Sequence, residues 1–288
     1  MDQALLDTAR YKMTNLSMDS RFADKYYDGT ADYQMRMPSV VRNVMRIALT
    51  SIEIPNVEWV FSTKHGNLTL SWWLVSAGES TATTVTIGEG NYTADELAAA
   101  VAAALGAAFT VTVSPITGLA TIARVDAADF VLSMASTEGT IADRRGYWGL
   151  GYYLGFRQKE VTSIGGTVTS TAIVLVQGAP YYLIQLETPN PVQPLQHRLM
   201  GNGWIGAFAK VILREGVYTI EFDDGGNMLR KENTFLAPVN IQAIRVRVVD
   251  PFGDTVNLHD MDWSMTVELY EVVNSRVYSA ISETFERS

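Results

Sequence analysis

Apolar side chains recur at every second position of this chain, in short runs separated by Gly, Pro, Asn and Asp, and that period limits the fold more than any other feature. Tyr33, Met35 and Met37 alternate with Gln34 and Arg36 up to Pro38, and Met45, Ile47 and Leu49 carry the pattern on. The phase then changes near Thr50, because Ile52 and Ile54 occupy the other parity, which predicts a β-bulge at that point. Residues 58–62 and 67–75 read as a hairpin about the turn Lys64-His65-Gly66-Asn67, with Trp72 and Trp73 pointing to opposite faces. Beyond residue 160, runs at 172–176, 181–187, 208–213, 217–222, 241–250 and 263–273 predict further strands. Among them Ile244, Arg245, Val246, Arg247 and Val248 alternate as a strand with one wet face does. Short turns between most of these runs imply an antiparallel, mainly β body.

One segment departs from this period. Thr93-Ala94-Asp95-Glu96 is a capping box, Leu97, Val101 and Leu105 follow at helical spacing, and Gly106 supplies the stop. Strands at 85–87, 109–113, 119–125 and 130–134 surround that helix, and the segment GYWGLGYYLGF, residues 146–156, interleaves aromatic rings with glycines. Such a segment packs rings against closely approaching backbone. The expected organisation is a polar N-terminal arm (1–24), one discontinuous β domain (25–76 and 159–288) of two four-stranded sheets face to face, and an inserted small α+β subdomain (77–158).

The function classes narrow by exclusion. The chain has 288 residues, 47% of them hydrophobic, a formal charge of −9, three histidines and no cysteine. A net negative surface disfavours nucleic acid as a partner, and the lack of cysteine removes disulfides, thiolate catalysis and Cys-ligated metals. No run matches a secretory signal or a membrane helix, so a soluble chain without direct membrane insertion or lipid anchor is expected. His65, His197 and His259 fit no triad or ligand spacing, Gly149-Leu150-Gly151 lacks the frame of a dinucleotide site, and no catalytic, cofactor or metal residue is nominated. Asp223-Asp224-Gly225-Gly226-Asn227 and Asp250-Pro251-Phe252-Gly253-Asp254 read as turns in preference to calcium loops. Arg42, Arg46, Arg245 and Arg247 read as wet strand faces paired with acidic neighbours. Trp72, Trp73, Trp148 and Trp204 are the candidate interface anchors, and Trp59 with Trp72, Trp73 and Trp204 would form the aromatic face of a sugar-binding module.

Several short motifs, spread over residues 14–275, resemble small capsid proteins of nucleocytoplasmic large DNA viruses. They are Met18-Asp19-Ser20-Arg21-Phe22, the strand ending in Met37-Pro38, the run from Arg46 to Asn56, Gly90-Asn91-Tyr92-Thr93 with Glu96-Leu97, Leu154-Gly155-Phe156 and Asp262-Trp263-Ser264. The resemblance is to the vertex (penton) or minor capsid proteins and implies a jelly-roll β-sandwich carrying an insertion. It also implies a virion structural protein without enzymatic activity, assembled in the host cytoplasm of a large icosahedral virus. Its implied partners are further copies of itself in a homo-oligomer, a pentamer for a vertex protein, the major capsid protein and other minor capsid proteins. The rival readings are a carbohydrate-binding or tail-fibre-like adhesin, a minor capsid protein beneath the shell, and a hydrolase on the same sandwich built on a carboxylate pair.

Overall fold

The computed structural model describes residues 11–133, 149–188, 197–199, 205–224 and 231–273. In chain order the strands are β1 (Tyr11–Asp19), β2 (Lys25–Tyr26), β3 (Asp32–Asn56), β4 (Thr69–Leu74), β5 (Thr83–Thr86), β6 (Phe109–Val113), β7 (Leu119–Arg124), β8 (Phe130–Ser133) and β9 (Glu160–Thr162). They continue with β10 (Thr167–Ile173), β11 (Tyr181–Glu187), β12 (His197–Leu199), β13 (Ile205–Ala207), β14 (Ala209–Ile212), β15 (Thr219–Asp223), β16 (Lys231–Val249) and β17 (Ser264–Val272). Helices α1 (Ala94–Leu105) and α2 (Leu150–Tyr153) lie between β5 and β6 and between β8 and β9. Two compact units result: Met1–Glu58 with Ala179–Ser288, and Trp59–Gly178.

The first unit is an antiparallel eight-stranded sheet in the order β1-β17-β3-β16-β11-β14, with β2 and β15 also paired to β3. The two face-to-face sheets expected from the sequence are joined into one, because β3 and β16, 25 and 19 residues long, run through both halves. The start of β3 pairs with β2 and with residues 243–247 of β16, while its end pairs with β17, with residues 231–234 of β16 and with β15. Ile47, Leu49, Ile52 and Ile54 of β3 share one core cluster with Ile184 of β11, Val246 and Val248 of β16, and Met265 and Val267 of β17. A sheet whose distant strands bury one common cluster is curled around it.

The bulge falls where the phase changes. Ser51 pairs with Thr266 and Leu49 with Val267, so Thr50 is the extra residue, and its Oγ1 donates to the Thr266 carbonyl at 3.1 Å. One inserted residue lets both Leu49 and Ile52 face the core despite their opposite parity. The expected arm (1–24) includes a sheet strand. Leu16 and Met18 alternate with Asn15 and Ser17, Met18 is fully buried, and the ladder to β17 starts at Tyr11.

The second unit holds the sheets β5-β4-β8-β9 and β10-β7-β6. It runs wider than the expected 77–158, because β4 pairs with β5 and β8, β9 pairs with β8, and β10 pairs with β7. The expected hairpin between residues 58–62 and 67–75 does not form. Asn67 is fully buried, accepting from the Ser62 amide (3.0 Å) and donating to the Val60 carbonyl (2.6 Å), so its side chain takes groups that a ladder would need. Helix α1 has the capping box read from the sequence: the Glu96 amide donates to Thr93 Oγ1, and the Thr93 amide donates to the Glu96 carboxylate. Leu97, Val101 and Leu105 bury its stripe in one cluster with Val111, Ile122 and Val168. A buried leucine there contributes roughly 2 kcal/mol.

Gly155 shows why the segment closing the expected insertion needs glycine. Its φ is +91°, and a Cβ would lie 2.0 Å from the Ala172 carbonyl oxygen. Gly166, at φ +67°, where a Cβ would lie 2.5 Å from the Ala127 backbone, is equally constrained.

Candidate interaction surface

Two of the motifs that carry the resemblance lie near opposite ends of the chain and lock together. The Ser20 amide donates to the Trp263 carbonyl (3.0 Å), the Trp263 amide to Ser20 Oγ (3.1 Å), and Ser20 Oγ to Asp262 Oδ1 (2.7 Å). The Trp263 indole donates to the Thr30 carbonyl (2.8 Å) and meets the Tyr33 ring edge-on at 5.7 Å. This node fixes where β1 ends. After Asp19 the chain turns through a short 3-10 segment, Ser20–Phe22, which leaves the Phe22 ring 71% exposed.

The tryptophans nominated from the sequence divide differently from the expectation. On β4, Trp72 and Trp73 point to opposite faces. Trp73 is buried, and Trp72 packs edge-on against Phe109 (4.7 Å) and under the Arg124 guanidinium (5.5 Å). Arg124 is held in turn by a forked pair of bonds to Asp126 (2.9 and 2.6 Å), which pulls the Asp126 carboxyl down to about 2. Trp73 is therefore buried and Trp72 is packed against its own unit's core, and the two rings form no open aromatic platform. Trp148 and Trp204 lie outside the described residues, as do Gly225 to Asn227 of the turn that follows β15. The other acidic turn closes on itself, with Asp250 Oδ1 accepting from the Phe252 and Asp254 amides (2.8 and 2.9 Å).

Two of the four strand arginines, Arg46 and Arg245, are paired with acidic neighbours as expected, whereas Arg247 donates to Thr255 Oγ1 (3.0 Å) and the Gly253 carbonyl (3.4 Å). Arg245 makes a forked contact with the buried Asp32 (2.7 and 2.6 Å), and Arg46 reaches Glu232 (3.2 Å) while lying 3.7 Å over the Tyr270 ring. Among the described residues no group of three or more His, Asp or Glu is placed to hold a metal, and no helix is long and apolar enough to cross a membrane.

The surface that sequence reasoning missed is on β15. Ile220 and Phe222, at 61 and 62% exposure, face outward from the strand and are joined by the 64% exposed Tyr218 just before it, at φ +65°, while Glu221 is 5% exposed and faces inward. The alternation itself was legible, but its sense was not, since a row of large apolar residues reads as the core side. On the inward side, Glu221 Oε1 accepts from the Glu215 amide (2.5 Å). The neighbouring Asn56 amide nitrogen donates to the carbonyls of Glu215 (3.4 Å) and Gly216 (3.3 Å).

No family model and no curated protein sequence matches this chain. Solved structures do match, among them the crystal structure of the selenomethionine-labelled penton protein of mavirus. The likeness covers 92% of this chain and 100% of that one, with a TM-score of 0.51 and 11% sequence identity. The chain thus has a mainly β, penton-like jelly-roll fold, with a curled half-barrel of antiparallel strands and a small helical insert. At this identity the likeness is one of fold.

Proposed function

We propose that the chain is a structural protein of a virus capsid and occupies the vertex, acting by burial of complementary surfaces and not by catalysis. The observation that carries this reading is the fold match, which extends over the whole of the penton chain and nearly all of this one. The sequence motifs that resemble vertex and minor capsid proteins agree with it, and two of them form the Ser20–Trp263 node. On this reading its partners are further copies of itself and the surrounding capsid proteins, and it resides in the virion. The adhesin reading finds no support at Trp72 and Trp73, whose rings are packed away.

Light scattering across a concentration series tests the proposal. A vertex protein is expected to reach five times the 31.7 kDa chain mass. A mass that stops at two copies, or stays at one throughout in the presence as well as the absence of crowding agents, would overturn the vertex assignment and favour a minor protein beneath the shell.

A further inference from the structure

Strand β15 is inside out. A one-residue slip against β3 would turn Ile220 and Phe222 towards the core and Glu221 towards water, the arrangement that burial favours. The slip is blocked by the inward contacts of this segment. Besides the Glu221 and Asn56 bonds, the Tyr218 amide donates to the Asn56 carbonyl (2.7 Å), and Tyr182 Oη donates to Asn56 Oδ1 (3.4 Å). The register is therefore fixed with the apolar row outward. A place where local pattern and fold disagree while the backbone is so firmly fastened marks a surface built for something outside the chain.

The row has the size of an interface core. Two aromatic rings and an isoleucine at these exposures present on the order of 400 Å² of apolar surface, about half of one partner's share in a standard interface and the part expected at its centre. Its place in the sheet indicates the occupant. Phe222 pairs with Glu53, Glu53 with Ser264, and Ser264 with Asp19, so β15, β3, β17 and β1 run side by side. β15 and β1 are the two outer strands there, and among the described residues neither is paired on its outer edge. Three residues beyond Asp19, in the turn that follows β1, the Phe22 ring is exposed, with the Arg21 guanidinium 5.8 Å away. Arg21 is already paired with Asp19 (2.6 Å), so apolar area and not charge supplies the attraction.

From this we infer that the β15 row receives the Asp19–Phe22 edge of a second copy of this chain. One sheet carries both halves of the contact on opposite edges, so association is head to tail, the arrangement that closes into a ring. The inference rests on the vertex reading and names the surface through which it operates.

The absence of cysteine from the chain makes the test direct. Single-cysteine variants Ile220→Cys and Phe22→Cys are treated with a short bis-maleimide, separately and mixed. Cross-linked dimer is expected only in the mixture, and a ladder of higher species from the double variant. In parallel, Ile220→Asp with Phe222→Asp is expected to reduce self-association at least tenfold without lowering the melting temperature, since both side chains are exposed. Dimers from either single variant would mean a symmetric contact and overturn the head-to-tail assignment. No cross-link in a chain that still forms rings would overturn this surface while leaving the vertex reading intact. No cross-link together with a wild type that never self-associates would remove both.

Discussion

Tyr33 is a large buried residue whose polar atom is left without a partner among the described residues. Its ring is fully buried against Trp263, and its hydroxyl finds no hydrogen-bond partner among the described residues. Burial accordingly pushes its ionisation well above the ordinary phenol range. Removing an unpartnered buried hydroxyl relieves a desolvation cost, so Tyr33→Phe is expected to stabilise the protein by about 1 kcal/mol, read as a higher urea midpoint at unchanged slope. A loss of similar size would show that the hydroxyl is hydrogen-bonded in solution. Glu221 is the opposite case, a buried carboxylate with a backbone donor, and it marks the limit of reading residues one at a time. Alternation identifies two faces of a strand, but which face meets the core is decided here by Asn56 and the loop at Glu215, both remote from the pattern that was read.

Elements were legible in proportion to how local their signals are. Helix α1 could be read to its caps because Thr93, Glu96 and Gly106 act within one turn of its ends, and the bulge at Thr50 could be read because a parity change lies in the strand itself. The hairpin before β4 was misread because the Asn67 side chain competes for the backbone of residues 60 and 62, and strands β9 and β10 were assigned to the wrong unit because ladder partners are chosen by distant sequence. The capping box also gives α1 a pH dependence. Bonds from the Thr93 amide and then the Thr93 hydroxyl hold the Glu96 carboxyl below its ordinary range, so the folded helix favours the ionised form. Its contribution is complete above the unfolded value of about 4.3 and is lost as pH falls through the lowered folded value. Amide exchange across residues 94–105 is expected to quicken along that acid limb, and Glu96→Gln is expected to flatten it. An unchanged limb in the variant would place the acid sensitivity elsewhere.

At the scale of the molecule, each unit has its own core cluster, and the chain leaves the first at Glu58 and re-enters it at Ala179. Asn56 and Tyr182, just inside those points, are hydrogen-bonded, so a short Gly/Ser linker in place of residues 59–178 spans the gap. That shortened chain is expected to melt cooperatively with a β-rich far-UV spectrum, and an aggregated product would mean that the first unit depends on the second. The composition changes near residue 77, whereas the compact units divide at residues 58 and 179. The continuity of the sheet was not legible, because it depends on two strands long enough to serve both halves. Those strands also impose an order on synthesis. The partners of β3 and β1 include β16 and β17, and Thr14 meets Glu271 across a separation of 257 residues. At about 5–20 residues per second, the N-terminal strands wait on the order of 10–50 s on the ribosome for their partners to emerge, while the insert, with mostly local contact order, completes itself first. Until β16 and β17 have emerged, β1 and β3 present unpaired edges, so closure of the first unit and any contact made through its sheet wait on the last strands to be synthesised.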